Sequence, residues 1–106
     1  MIGALRNRLV FERRIESEDG AGGFSESWET AFSVWGSLEA VGGRERVVGD
    51  QIQAQTAYRI RIRFRTDVAA DQRIRVGPKI LGIDWLGDPD SRRYWLDLGC
   101  SESVPT

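Results

Sequence analysis

Four arginines stand at alternate positions, Arg59, Arg61, Arg63 and Arg65, interleaved with Tyr58, Ile60, Ile62 and Phe64. On a β-strand successive side chains point to opposite faces, and each residue rises about 3.3 Å, so this spacing sets four guanidinium groups ~6.6 Å apart in one row. A nucleic-acid duplex carries one charge per ~1.7 Å of axis, and such a row can track its phosphates. The row can also be neutralised within the protein, because like charges on one face repel unless something intervenes. Glu26, Glu29 and Asp97 are the candidate counter-charges. Surface charge rows are more often paired or solvated than ligand-binding, so pairing within the chain or at a subunit interface is the first expectation. Aromatic residues do not interleave on the arginine parity, which argues against a base-stacking platform for single strands.

Little else in the chain could carry bond chemistry. There is no histidine, which removes the commonest general base and metal ligand and every Ser-His or Cys-His pair. Cys100 is the single cysteine; it excludes an intrachain disulfide and a thiolate zinc site. It falls on the apolar parity of its segment and reads as a small buried hydrophobe. Asp88 and Asp90 could be offered to a divalent cation, or to a hydrolase using carboxylates, but Asp-Pro-Asp is first of all turn chemistry, and the further oxygen ligands calcium needs are missing. Gly20, Gly22 and Gly23 are followed by neither Gly-Lys-Ser/Thr nor a helix, so they form no phosphate loop. The expectation is a protein that is not an enzyme, with no catalytic residue, metal or cofactor.

The elements that position these residues are strands, because the apolar pattern is mostly period two, punctuated by glycine and aspartate. A first strand carries Leu9, Phe11 and Ile15 on one parity. A flexible connection over 17–23 leads to a long second strand, Phe24 to Val41, with a bulge. The arginine row forms the third main strand. Thr66 to Asp71 turns, Arg73 to Val76 is short and closed by Gly77-Pro78, Lys79 to Leu86 follows, and Arg93 to Glu102 is last. Between the second and third main strands, Gly42 to Gln55 reads as a long polar excursion, interrupted at Gly49 and holding at most a short helix. Such a segment in a small domain usually has a function. The fold class is therefore all-β: a small antiparallel β-barrel or sandwich of about six strands with one long loop.

Composition agrees. The 106 residues suit one domain, 1–106, with too little chain for two cores. A net charge of -1 opposes a general polyanion binder. Lys79 is the only lysine among 15 cations, and arginine is the cation suited to interfaces, although GC-rich coding produces the same bias. Neither a secretory leader nor an apolar run of membrane-spanning length is apparent, so a cytosolic product is expected, with no membrane partner. Trp28, Trp35, Trp85 and Trp95 are numerous for this length. They either close a second barrel face or anchor a subunit interface.

The whole chain resembles the phage head-tail joining proteins, the head-completion or stopper family. The resemblance lies in Ala4 to Arg13; in Asp19-Gly20-Ala21-Gly22-Gly23-Phe24 with Trp28; in Val34-Trp35-Gly36-Ser37-Leu38-Glu39; in Gly43-Arg44-Glu45 followed by Tyr58 to Arg65; and in Arg73-Ile74-Arg75-Val76 with Ile80-Leu81-Gly82-Ile83. Five blocks in order make a specific match where no single block does.

The resemblance implies a structural connector in the neck of a tailed bacteriophage or phage-like gene-transfer particle, assembled in the bacterial cytoplasm. Its partners would be copies of itself in a ring, a portal-adaptor protein above, a tail terminator or tail tube protein below, and packaged double-stranded DNA in the channel. The excursion would be the channel loop: Gly42, Gly43, Arg44, Glu45, Arg46, Val47, Val48, Gly49, Asp50, Gln51, Gln53 and Gln55. The row Arg59, Arg61, Arg63 and Arg65 would face a neighbouring subunit or DNA. The competing reading is a stand-alone nucleic-acid-binding β-barrel that uses the same four arginines.

Overall fold

The computed structural model describes residues 5–88 and 91–103. Six strands appear among them: β1 (Asn7–Glu18), β2 (Phe24–Val48), β3 (Gln51–Arg63), β4 (Arg73–Val76), β5 (Lys79–Gly87) and β6 (Trp95–Ser103). All pairings are antiparallel. The order is β1-β2-β3-β6-β5-β4, and β4 pairs back onto β1, so the sheet closes into a barrel. Closure satisfies the backbone groups that an open sheet would leave along its edges.

Period-two alternation does the sorting. Leu9 and Phe11, Tyr58, Ile60 and Ile62, Ile74, Leu81, and Leu96, Leu98 and Cys100 all point inward and are buried. Phe11 stacks on Phe32 with ring centroids 4.7 Å apart. Cys100 sits in this core, as its parity requires, and burial pushes its thiol up to about 12 from an ordinary 9.0. The unfolded chain therefore gives up this proton first. The thiol's share of stability is complete below pH 9 and declines as pH rises from there towards 12. At pH 8 a thiol reagent should label Cys100 only through opening of the barrel; native labelling as fast as in denaturant would show that the core does not exclude it.

Strand β2 organises the barrel. It has 25 residues, which straight would reach about 80 Å at ~3.3 Å per residue, yet the longest dimension of the molecule is 50 Å. It bends at irregularities beside Phe11/Glu12 and between Ala40 and Gly42, as bulges do. Its first part pairs with β1, its later part with β3, and among the described residues Gly36 alone is paired to both, opposite Asn7 and Ile62. A Cβ at Gly36 would lie 2.5 Å from Leu9 Cδ1, 2.8 Å from Ile62 Cγ2 and 3.0 Å from the Arg61 carbonyl oxygen. Only glycine fits this corner.

The excursion Gly42 to Gln55 is not a loop with a short helix. It is the far part of the β2–β3 hairpin, paired from Gly42↔Ala57 to Val48↔Gln51. The interruption at Gly49 has a different cause from a broken helix: with φ +63° it takes the left-handed conformation that the two-residue turn Gly49-Asp50 requires.

Candidate assembly surfaces

Arg59, Arg61 and Arg63 emerge on the outer face of β3, and Arg65 follows just past its end. Their surroundings differ because the neighbouring strands supply different partners. Arg61 lies opposite Asp97 of β6 and donates two hydrogen bonds, Nε to Oδ1 at 2.5 Å and Nη2 to Oδ2 at 2.7 Å. Arg63 stacks over Trp95, its pair on β6, at 4.6 Å. Arg65 chelates Asp67 with two 2.8 Å bonds and lies 4.1 Å from the centre of the Phe32 ring; the guanidinium holds the Asp67 carboxyl below its ordinary range. Arg59, exposed and registered between Glu39 and Gly99, makes no ion pair among the described residues.

Of the expected counter-charges, Asp97 meets the row, whereas Glu26 and Glu29 pair with Arg14 and Arg13. Replacing Arg61 by Ala orphans a carboxylate that is nearly buried and should cost about 2–3 kcal/mol. Arg59→Ala should stay within about 0.5 kcal/mol. Denaturant unfolding of the two variants checks the contrast; equal losses would show that Asp97 does not depend on its partner.

A second ion pair on the outer surface was not foreseen. Glu12, buried beside the bulge, accepts from Arg73 Nε at 2.7 Å and lies 3.6 Å from Arg75 Nε. Arg73 in turn covers Trp28 at 4.2 Å. The arginines of the short β4 are thus tied to β1 and β2.

The tryptophans all stand outside the barrel core. Trp35, about half exposed, carries the Arg8 guanidinium 5.4 Å from its ring centre. Trp85 lies flat across Gly99, where a Cβ would come within 2.0 Å of the indole nitrogen. Aromatic and arginine side chains therefore interleave across strands, although they do not along any one strand. The spacing within one segment could not show this.

Asp88 does turn chemistry: its Oδ2 accepts from the Arg93 N–H at 2.9 Å. Asp90 lies outside the described residues. At the opposite turn, between β1 and β2, Asp19 Oδ1 accepts from the amides of Ala21 (2.8 Å) and Gly23 (3.1 Å), which lowers its carboxyl below the ordinary value.

Of the channel-loop residues, Gly42, Gly49 and Asp50 lie exposed on the hairpin. The side chains of Arg44, Glu45, Arg46, Val47, Val48, Gln51, Gln53 and Gln55 lie outside the described residues, as does residue 43 beyond its backbone pairing. Among the described residues, strand β6 accompanies the hairpin to Ser103, opposite Gln55, and past that point β2 and β3 continue as a two-stranded ribbon.

Comparison with known proteins places this architecture. A head completion protein of Enterobacteria phage HK97 is 33% identical over 92 residues, covering 82% of this chain and 80% of the relative. A chain from the virion of a native gene transfer agent particle superposes with a TM-score of 0.78 at 27% identity, over 95% of this chain and 96% of the other. The solution structure of protein SF1141 from Shigella flexneri 2a gives 0.74 at 31% identity, over 99% and 98%. The model of the phage head completion protein family matches residues 1–103. The family model over 1–103 and the identity to the HK97 relative give one assignment: the chain belongs to the phage head completion protein family.

Proposed function

We propose that this protein is a structural subunit of the neck of a tailed phage or gene-transfer particle, performing no bond chemistry. Copies assemble as a ring below the portal and its adaptor, enclose the DNA channel, help retain the packaged duplex and present a docking face to the tail terminator or tail tube. The barrel is the body, and the β2–β3 hairpin from Gly42 to Gln55 is the part that reaches the channel. Family membership and the likeness to a chain of a gene transfer agent virion support the particle role. The observation that carries the finer reading is the ribbon itself. A lone two-stranded hairpin is marginally stable in water, so an element of this length beyond the barrel is suited to being covered by neighbours on assembly.

The stand-alone nucleic-acid reading has less support. Arg61, Arg63 and Arg65 are each engaged within the chain, and the net charge is -1. It would require the isolated monomer to bind oligonucleotides with a steep salt dependence.

The test shortens the hairpin without disturbing its register. Replacing Arg46–Gln53 by Asn-Gly closes the ribbon at the Glu45↔Ala54 pair with a favoured turn. Particles carrying this variant should assemble but leak DNA. Normal assembly with unchanged DNA retention would reject the channel role.

A further inference from the structure

We propose that the acidic β1–β2 arm of one copy docks on the Arg8–Trp35–Arg63–Trp95 face of the next, making a head-to-tail contact; this rests on the ring reading above. Two observations on separate parts of the molecule carry it.

The first is the arm. Beyond Glu12, the last β1 residue paired to β4, β1 and β2 run on as a ribbon from Arg13↔Glu29 to Glu18↔Phe24. Residues 13–29 hold five carboxylates and two arginines. Both arginines are spent inside the arm, Arg13 on Glu29 at 2.7 Å and Arg14 between Glu16 and Glu26 at 3.3 and 3.7 Å. Glu16 and Glu26 stand directly opposite each other, an arrangement that costs stability and leaves negative charge on show. Glu18, next to the turn, makes no ion pair among the described residues, and its pair Phe24 is 69% exposed.

The second is the ladder. Arg8 of β1 is paired with Trp35 of β2, and Arg63 of β3 with Trp95 of β6. One step past the Gly36↔Ile62 pair, the register sets Trp35 beside Arg63. Four adjacent strands thus present Arg-Trp-Arg-Trp in one row on the outside, with Trp35 53% exposed and the guanidinium groups stacked at 5.4 and 4.6 Å. Tryptophan, tyrosine and arginine are the residues enriched at interface hot spots. Among the described residues neither Arg8 nor Arg63 forms an ion pair.

The arm and the ladder match in charge, and each carries exposed aromatic surface. They cannot meet within one chain. Ten residues of β1 separate Arg8 from Glu18, about 33 Å along the ribbon. Two different patches joined between copies make a heterologous contact, the kind that closes into rings when its rotation closes. A near-zero net charge with its signs segregated is what such self-association needs, since complementary patches steer and register the encounter.

The test uses particles produced in cells lacking the native gene. One variant reverses the arm (Glu18→Lys with Glu26→Lys), and the other reverses the ladder (Arg8→Glu with Arg63→Glu). Thermal unfolding confirms that each folds; if a double variant does not, Glu18→Lys and Arg8→Glu singly replace it. Each variant supplied alone should fall about tenfold or more in incorporation into particles, because every contact then sets like charge against like. Supplied together they should recover, since each reversed arm meets a reversed ladder. Normal incorporation of either variant alone, or no recovery in the mixture, overturns the contact. Wild-type protein present at a single copy per particle would instead remove the ring reading, so the two failures are distinguishable.

Discussion

Replacing Phe11 by Ala should cost about 3–5 kcal/mol, the range for truncating a fully buried phenylalanine. Phe11 is 0% exposed, stacks on Phe32, and sits where β1 is flanked by both β2 and β4, opposite Phe32 and Ile74. Its removal opens a cavity at the seam where the barrel closes, and leaves β4, with four residues, held to β1 only by backbone pairing and the Arg73 and Arg75 contacts to Glu12. Domains of this size have only about 5–15 kcal/mol of stability in total, so the variant should lose a large share of it. Chemical unfolding should show a lower midpoint at unchanged slope. A loss below about 1 kcal/mol would mean that the seam repacks and that the closed barrel is not held by this ring. Trp85→Ala supplies the contrast: its indole is larger but about half exposed, so the expected change is a small fraction of the Phe11 effect.

Gly36→Ala should destabilise by about 1–3 kcal/mol, the usual cost of overpacking a filled core. Two of the atoms a Cβ would meet belong to Leu9 and Ile62, both fully buried, and the third is backbone. None can swing into solvent. Relief therefore needs movement of β1 or β3 where they share β2. Gly82→Ala and Gly87→Ala face nothing within 4 Å and serve as controls, expected within about 0.5 kcal/mol. Equal effects at Gly36 and Gly82 would show that the corner is not close-packed.

Alternation over Tyr58 to Arg65 was enough to identify β3's inward and outward faces, because side-chain direction in a strand is a local property. The same logic placed Leu9, Phe11, Ile74 and Cys100 in the core and located β1, β4, β5 and β6 to within a few residues, whereas β2 runs on to Val48 instead of ending at Val41 and β3 begins at Gln51 instead of Tyr58. The two-residue turn at Gly77-Pro78 was legible for the same reason. The hairpin from Gly42 to Gln55 was not. Its first half, Gly-Gly-Arg-Glu-Arg-Val-Val, has no clean alternation, and in the second half Gln51-Ile52-Gln53-Ala54-Gln55 does alternate but offers only one large apolar residue, because a ribbon beyond the barrel has no core face to fill.

The sequence alone determined what each strand buries, the lack of a histidine- or thiol-based site, and membership of a structural family. Only the tertiary structure decided which charges meet. Asp97 reaches Arg61, Glu12 reaches Arg73, and Trp35 and Trp95 alternate with Arg8 and Arg63 because of register between strands that are distant in the chain. That register depends on bulges and on closure of the barrel. Both are set by contacts across the whole molecule, and period two within one segment carries no record of them.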